Sequence, residues 1–382
     1  MTSSIAAGRD FLGRQFERNK ARLGHARQHL FDRDALVQAG QTPYEMIHRD
    51  GPVSLRYYPP LTDSEIELAD GSVLPVAKTV QRTPLVIVPP LAVNMLVYDL
   101  FPERSLVRYL RARGFELYLV DWGTPTRAQD RLDLSSYFAD LLPEALERVR
   151  AHSGKRKLSL HGWSFGGLFS LCHAAIAGAD IANLVLVGAP VDYHDNGVLG
   201  ERYKTLSRHA GWVRRYTGLT AHRLPAALLR SPGRLNALVF KLTSPMTAVK
   251  SYASLVANLH DEHYVSSHAT NAAFLDGMVA YPGGVVQDFI DYLWIDNVLG
   301  QGKLPMKRAD ADLSGVAAPI LNITGRHDVI VTTACSQAML RHVSSRDVTC
   351  RTLKGGHVGI VSSETAMTET WREIADWLIA RD

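Results

Sequence analysis

The 382-residue chain holds only three cysteines, Cys172, Cys335 and Cys350. An odd number without a C-x-x-C pair offers neither a disulfide framework nor a zinc knuckle, and reads as reduced thiols in a cytoplasmic protein. Long apolar runs are also missing. Leu85 to Val88 and Leu184 to Val187 are strand-sized, far short of the ~20 residues that span a bilayer, so no transmembrane segment is expected. Charge of one sign is scarce: 42 lysines and arginines against 38 acidic residues leave +4. That is too slight to predict a nucleic-acid partner without a clustered patch. Neither G-x-x-x-x-G-K-[ST] nor G-x-G-x-x-G follows a strand, which removes nucleotide binding. Internal repeats and low-complexity segments are absent. What remains is 46% hydrophobic and 21% charged. Such a chain has enough apolar residues to escape disorder and enough length to bury a large core.

The first residues lack the ~7–15-residue apolar stretch of a secretory signal. Residues 1–50 are expected to form a helical arm, with Arg9, Arg14, Arg18, Lys20, Arg22, Arg27 and Arg33 facing Asp10, Glu17 and Asp32. Phe11, Phe16 and Leu23 are sparse apolar points on it. A solvated surface helix is the plain reading, and a membrane-surface or partner-binding arm is its alternative.

Beyond it, strand and helix patterns alternate. Leu85 to Val88 is a continuous apolar run closed by Pro89-Pro90, as a buried parallel strand would be. Leu106, Val107 and Leu110 follow at helical spacing, with Gly114 placed as a C-terminal cap. Leu117 to Val120 is a strand. Phe138, Leu142, Ala145 and Val149 lie on one helix face. Lys157 to His161 is a strand, Leu168 to Ile176 a helix and Leu184 to Val187 a strand. This order predicts a doubly wound, mostly parallel sheet covered on both faces. From about Tyr193 to Leu313 no buried strand is legible, and the pattern resumes at Ile320 to Thr324 and Val348 to Leu353. A last helix places Met367, Trp371, Ile374 and Leu378 on one face. The expected organisation is therefore a core over 51–192 and 314–382, interrupted by a helical cap over 193–313.

The sharpest chemical signal is His161-Gly-Trp-Ser-Phe-Gly-Gly167, a G-x-S-x-G pattern centred on Ser164. Chance supplies such a pattern about 0.15 times in a chain like this, so its context decides. An apolar strand precedes it and an apolar helix follows, the setting of the nucleophile elbow of the α/β-hydrolase fold. The glycines relieve crowding in a strained turn that lifts the serine hydroxyl above the sheet. The same turn aims the Phe165 N–H at a developing oxyanion.

A base and an orienting acid are then expected downstream, in the order Ser, Asp, His. Gly325-Arg-His-Asp328 follows one strand and Lys354-Gly-Gly-His357 the next. Both loops fall at the strand ends where α/β sheets hold their ligands. Asp328 would accept from His357 Nδ1–H, leaving Nε2 to take the Ser164 proton. The second oxyanion donor is expected in Pro89-Pro-Leu-Ala-Val-Asn94. Prolines have no N–H, so Leu91 or Ala92 supplies it. Asp192 is a rival acid. His161 is expected to pack or bond locally. His260 and His263 beside Asp261 and Glu262 lack ligand spacing and read as a solvated face. Neither a metal nor a bound cofactor is expected.

The stretches "LVIVPPLAVNMLVYDLFPERSLVRYLRARGFELYLVDWGTP", "LVLVGAPVDY", "YPGGVVQDFIDYLWIDNVLGQGKL" and "LKGGHVGIVSS" resemble polyhydroxyalkanoate synthases, above all the short class that works with a second subunit. The likeness runs from about Tyr57 to the C-terminus and is loose from Tyr193 to Ala280. It implies an α/β-hydrolase fold, the acid and base at Asp328 and His357, and a hydroxyacyl-CoA substrate, with CoA entering only as part of it. As partners it implies a second subunit or homo-oligomer and the surface of a polymer granule. The family carries its growing ester on a cysteine in G-x-C-x-G, where this chain has Ser164. It also tends to read D-H-I-V-P, where this chain reads Asp328-Val-Ile-Val-Thr332. A thiolate suits thioester relay, whereas water can resolve a serine ester. The expected function is therefore a serine hydrolase of acyl or 3-hydroxyacyl esters or thioesters, acting through an acyl-enzyme. The alternatives are a synthase-like acyltransferase and a non-catalytic synthase partner or granule scaffold.

Overall fold

The computed structural model describes residues 2–242, 245–307 and 311–382, and their side chains except at 2–14 and 245–249. The side chains of Arg9, Asp10, Phe11 and Arg14 thus lie outside the described set. Eight strands build one sheet: β1 (Glu45–Asp50), β2 (Val53–Tyr58), β3 (Leu85–Val88), β4 (Leu117–Asp121), β5 (Leu158–Trp163), β6 (Ile181–Val187), β7 (Ile320–Gly325) and β8 (Val348–Leu353). Their spatial order is β1-β2-β4-β3-β5-β6-β7-β8. From β4 to β8 every neighbouring pair is parallel, whereas β1 with β2 and β2 with β4 are antiparallel.

Side-chain alternation divides the core between the two sheet faces. Val86, Val88, Leu160, Leu184 and Leu186 point to one face, against α3 (Leu142–Ser153) and α4 (Phe165–Ala177). Leu85, Ile87, Val185, Val187 and Leu321 point to the other. There they meet α2 (Leu106–Ala112) and the C-terminal helical segment bearing Met367, Trp371, Ile374 and Leu378. Gly114 closes α2 at φ +88°. Apolar residues on both sides leave the central strands no wet face, which is why they read as continuous hydrophobic runs.

Two boundaries differ from the sequence expectation. The helical arm, α1 (Thr2–Phe31), ends well before residue 50, and Glu45–Asp50 is the edge strand β1. Its residues are half-buried or exposed, so no apolar alternation announces it. The second difference lies in the segment after β6. Its first part is α5 (Gly197–Thr217), α6 (Ala226–Leu229), α7 (Gly233–Leu242), α8 (Pro245–Ala257) and α9 (Glu262–Asp276). Its second part begins with α10 (Gly283–Asp288), which runs into a π-helical segment at Phe289–Ile295. Val285, Phe289, Leu293, Leu299 and Leu304 of that part join the core of the α3/α4 face. The layer over the sheet edge is thus residues 193 to about 282. The rest, although helical, belongs to the body that supports it.

Candidate active site

Ser164 sits between β5 and α4 at φ 53°, ψ −121°, a backbone conformation that side-chain-bearing residues seldom adopt. Close packing around it accounts for the flanking glycines. A Cβ on Gly162 would overlap the Gly166 carbonyl, one on Gly166 the Val88 carbonyl, and one on Gly167 would lie 2.6 Å from Ala189 Cβ. The elbow therefore requires glycine because two strands and a helix meet there with no room for a methyl group.

The structure brings Ser164, His357 and Asp328 together. His357 Nε2 lies 2.9 Å from Ser164 Oγ. His357 Nδ1 lies 2.7 Å from Asp328 Oδ2. The Asp328 side chain is fully buried, and its Oδ1 accepts from the N–H groups of Ile330 and Val331, both at 2.9 Å. Those bonds fix the carboxylate plane, so that the imidazole donates from Nδ1 and presents Nε2 to the hydroxyl. The Trp163 indole N–H donates to the His357 carbonyl at 3.1 Å, tying the residue before the serine to the histidine loop. Sequence patterning gave no warning of that bond, because Trp163 stands only as a variable position of the elbow pattern and nothing in spacing links it to the His357 loop.

Phe165 is the first residue of α4, where an N–H has no helical partner. Leu91 and Ala92 border the same cavity as Ser164, and Ala92 adopts φ 64°. Its carbonyl accepts from Val279 N–H, which braces the loop against the segment after α9. Asp192 is engaged elsewhere. It accepts from Asn297 Nδ2 at 2.8 Å and Arg341 at 2.6 Å, and does not meet His357. Burial opposes its ionisation, but the Asn297 amide, the Asp195 N–H and Arg341 outweigh that and hold its carboxyl below the usual range. His161 is buried, and desolvation lowers it to about 4, so it is a neutral ring. His260 meets Arg18 of α1, and His263 is exposed. Among the described residues no group of three or more His, Cys, Asp or Glu could hold a metal ion.

The cysteines stand apart from this geometry. Cys172 and Cys335 are buried, and desolvation raises both thiols, Cys335 to about 12. None of the three borders the cavity over Ser164. That cavity measures about 480 Å³. Its floor is Ser164, Phe165 and His357, and its walls are mainly apolar, including Tyr203, Val239, Met278, Tyr281 and Trp294. Phe165 stacks on Phe289 with ring centroids 4.7 Å apart, and Tyr281 meets Phe289 edge-on at 5.1 Å. A hydroxyl with an oriented base at the bottom of an apolar cleft has the groups that nucleophilic acyl transfer requires.

Residues 83–362 match the alpha/beta hydrolase fold family. The chain is 26% identical over 350 residues to the poly(3-hydroxyalkanoate) polymerase subunit PhaC of Haloferax mediterranei, which covers 90% of this chain and 65% of that one. It is also 26% identical over 363 residues to the subunit of the same name from Allochromatium vinosum, covering 94% of each. The chain thus spans about two thirds of the first relative and nearly all of the second. Among solved structures, a soluble variant of monoglyceride lipase from Saccharomyces cerevisiae superposes with TM-score 0.53 and 15% identity. It covers 90% of this chain and 96% of that one. No helix among the described residues is long and apolar enough to cross a membrane.

Proposed function

Because the chain belongs to the alpha/beta hydrolase fold family, we propose that it is a serine-nucleophile hydrolase of acyl or 3-hydroxyacyl esters or thioesters. The observation that carries this reading is the hydrogen-bonded line Ser164–His357–Asp328 on the floor of an apolar cavity. In the first half-reaction Ser164 Oγ attacks the acyl carbonyl while its proton passes to His357 Nε2. The oxyanion is received by the N–H of Phe165 together with that of Leu91 or Ala92. As the tetrahedral adduct collapses, the C–O or C–S bond to the leaving group breaks, and His357 returns the proton to the alcohol or thiol. In the second half-reaction water gives a proton to His357 and attacks the acyl-serine; as that adduct collapses the C–Oγ bond breaks, His357 returns the proton to Ser164 Oγ and the acid leaves. Asp328 accepts from His357 Nδ1–H throughout and stabilises the imidazolium.

A second reading is acyl transfer to another hydroxyacyl group, with hydroxyacyl-CoA as donor and polymer as product. It is supported by the similarity to a polymerase subunit over 94% of both chains. In that reading the acceptor hydroxyl takes the place of water, and a second subunit and a polymer surface become partners.

A fluorophosphonate probe, followed by p-nitrophenyl esters and hydroxyacyl-CoAs of graded acyl length, tests both. Labelling that is lost in Ser164→Ala, with acid released from esters in the absence of CoA, is the expected result. Stoichiometric CoA release with insoluble polymer would select the second reading. A chain that takes no label and turns over neither class would sink both.

A further inference from the structure

The layer over the sheet edge differs from the rest of the molecule in charge. Residues 193–282 hold ten lysines and arginines against five acidic residues, a net +5 in a chain of net +4. Four of the ten are occupied. Arg214 pairs with Asp291 and Asp296, Arg230 with Asp130, Lys204 with Glu201 and Lys241 with Asp276. Arg202, Arg208, Arg215, Arg223, Arg234 and Lys250 are exposed and form no ion pair within 4 Å among the described residues, although Arg208 donates to Thr205 Oγ1 and feels the Glu201 charge.

Exposed apolar side chains gather in the same segment. Thirteen of the 24 large hydrophobic residues exposed among the described residues fall between Val198 and Val256. They are not scattered at random around their helices. On α5, Leu199 and Tyr203 face the cavity, and the 3.6-residue period sets Arg208, Trp212, Arg215 and Tyr216 on the opposite side. Trp212 and Tyr216 are each 66% exposed, with ring centroids 5.0 Å apart. Two exposed guanidiniums outside any ion pair thus share one face with two exposed aromatic rings. On α7, Asn236 and Phe240 line the cavity, whereas Leu238 and Leu242 are exposed; Leu235 and Val239 do both, at the cavity rim.

We propose that the outer face of this layer docks on an anionic phospholipid surface. Single exposed apolar side chains need no explanation, but a face that combines them with aromatic rings and cations outside any ion pair does. Tryptophan and tyrosine settle at the headgroup boundary, arginines pair with lipid phosphates, and aliphatic side chains enter the acyl layer. An acidic polymer such as nucleic acid would satisfy the cations and leave the aliphatic face of α7 in water. A second copy of this chain would set one net-positive surface against another. A charged lipid interface answers both halves of the surface at once.

Co-sedimentation of the full chain with vesicles tests the proposal without reference to turnover, so its failure and that of the hydrolase reading are distinguishable. Vesicles of phosphatidylcholine with about 30% phosphatidylglycerol should bind at least about tenfold more tightly than phosphatidylcholine alone, and salt should weaken that binding. Arg208→Glu/Arg215→Glu and Trp212→Ser/Tyr216→Ser should each weaken it about tenfold or more. Both variants should keep the wild-type melting temperature and the wild-type rate on a water-soluble ester. Equal binding to neutral vesicles, no binding to either, or full binding by both variants would overturn the proposal. So would a DNA complex or a dimer that depends on these residues in place of vesicle binding.

Discussion

The floor and the roof of the cavity are built on opposite terms. Around Ser164 each group is fixed by several others. Gly162, Gly166 and Gly167 leave no space for a methyl group, Asp328 accepts three hydrogen bonds, and the Trp163 indole holds the His357 loop. In the roof, α5 and α7 turn tryptophan, tyrosine and leucine to solvent and bury little. The floor must hold reacting atoms to within a fraction of an ångström, since a displacement of about 1 Å can cost 100-fold in rate. On the function proposed here the roof has only to enclose an acyl chain and meet whatever delivers it. Close packing is concentrated around Ser164, and exposed apolar side chains in the layer above it.

The sharpest way to break this contrast is at the serine. Ser164→Ala should lower kcat by about 10⁴-fold or more, since the members of a triad act as a unit, and should leave the melting temperature within a few degrees of wild type. Steady-state turnover of a p-nitrophenyl ester measures it, and a rate within tenfold of wild type would remove Ser164 from the mechanism. Next in size is Phe289→Ala, where floor and roof meet. Loss of the ring from between Phe165, Tyr281 and Trp294 should cost about 3–5 kcal/mol of stability. It should also shift preference toward longer acyl chains, as read from kcat/KM across an ester series. An unaltered series would place the acyl chain elsewhere.

Trp163→Phe removes one hydrogen bond and keeps the ring in its place. A neutral bond of this kind contributes about 0.5–1.5 kcal/mol, so kcat should fall by about tenfold or less while KM changes little. A rise in KM alone would mean that the indole acts on substrate and not on the His357 loop. The smallest effect is expected at His222, which bonds Asp288 and Asp291 at 2.8 Å on each side. Arg214 shares Asp291 with it, Tyr292 packs beside its ring, and Lys307 opposes its charge. The bond to Asp288 raises the His222 pKa above 6.5. The folded form therefore holds this proton more tightly than the unfolded chain does. Its contribution is complete below about pH 6.5 and is lost as pH rises through the raised value. The melting-temperature gap between wild type and His222→Gln should narrow from pH 6 to pH 9. A gap that widens would reverse the sign of the interaction.

How legible each part was follows from what shapes it. Leu85–Val88, Ile181–Val187 and Val348–Leu353 are apolar or β-rich runs bounded by turn residues, and β3 to β8 could be read from them. β1 could not, because Glu45–Asp50 alternates no apolar residues and is held as an edge through β2. In β2 the signal was present but short: Val53, Leu55 and Tyr57 alternate with polar neighbours. Phe289–Ile295 read as part of the cap because helical periodicity says which face is apolar and not what that face meets.

The chain by itself determined the elbow, the order of the strands along the sequence and the positions of Asp328 and His357 at strand ends. These depend on local rules: glycine where a Cβ would collide, apolar residues where both sheet faces are covered, acid and base on the loops that follow. Folding alone decided that Asp192 faces Arg341 and Asn297 while Asp328 faces His357, and that Trp163 reaches the histidine loop. It also decided that the second half of the inserted segment belongs to the core and the first half to the surface. Those outcomes join residues as many as 194 positions apart in the chain. Sequence spacing carries no information about such pairs, because the distance between them is set by how the sheet twists and how its helices pack.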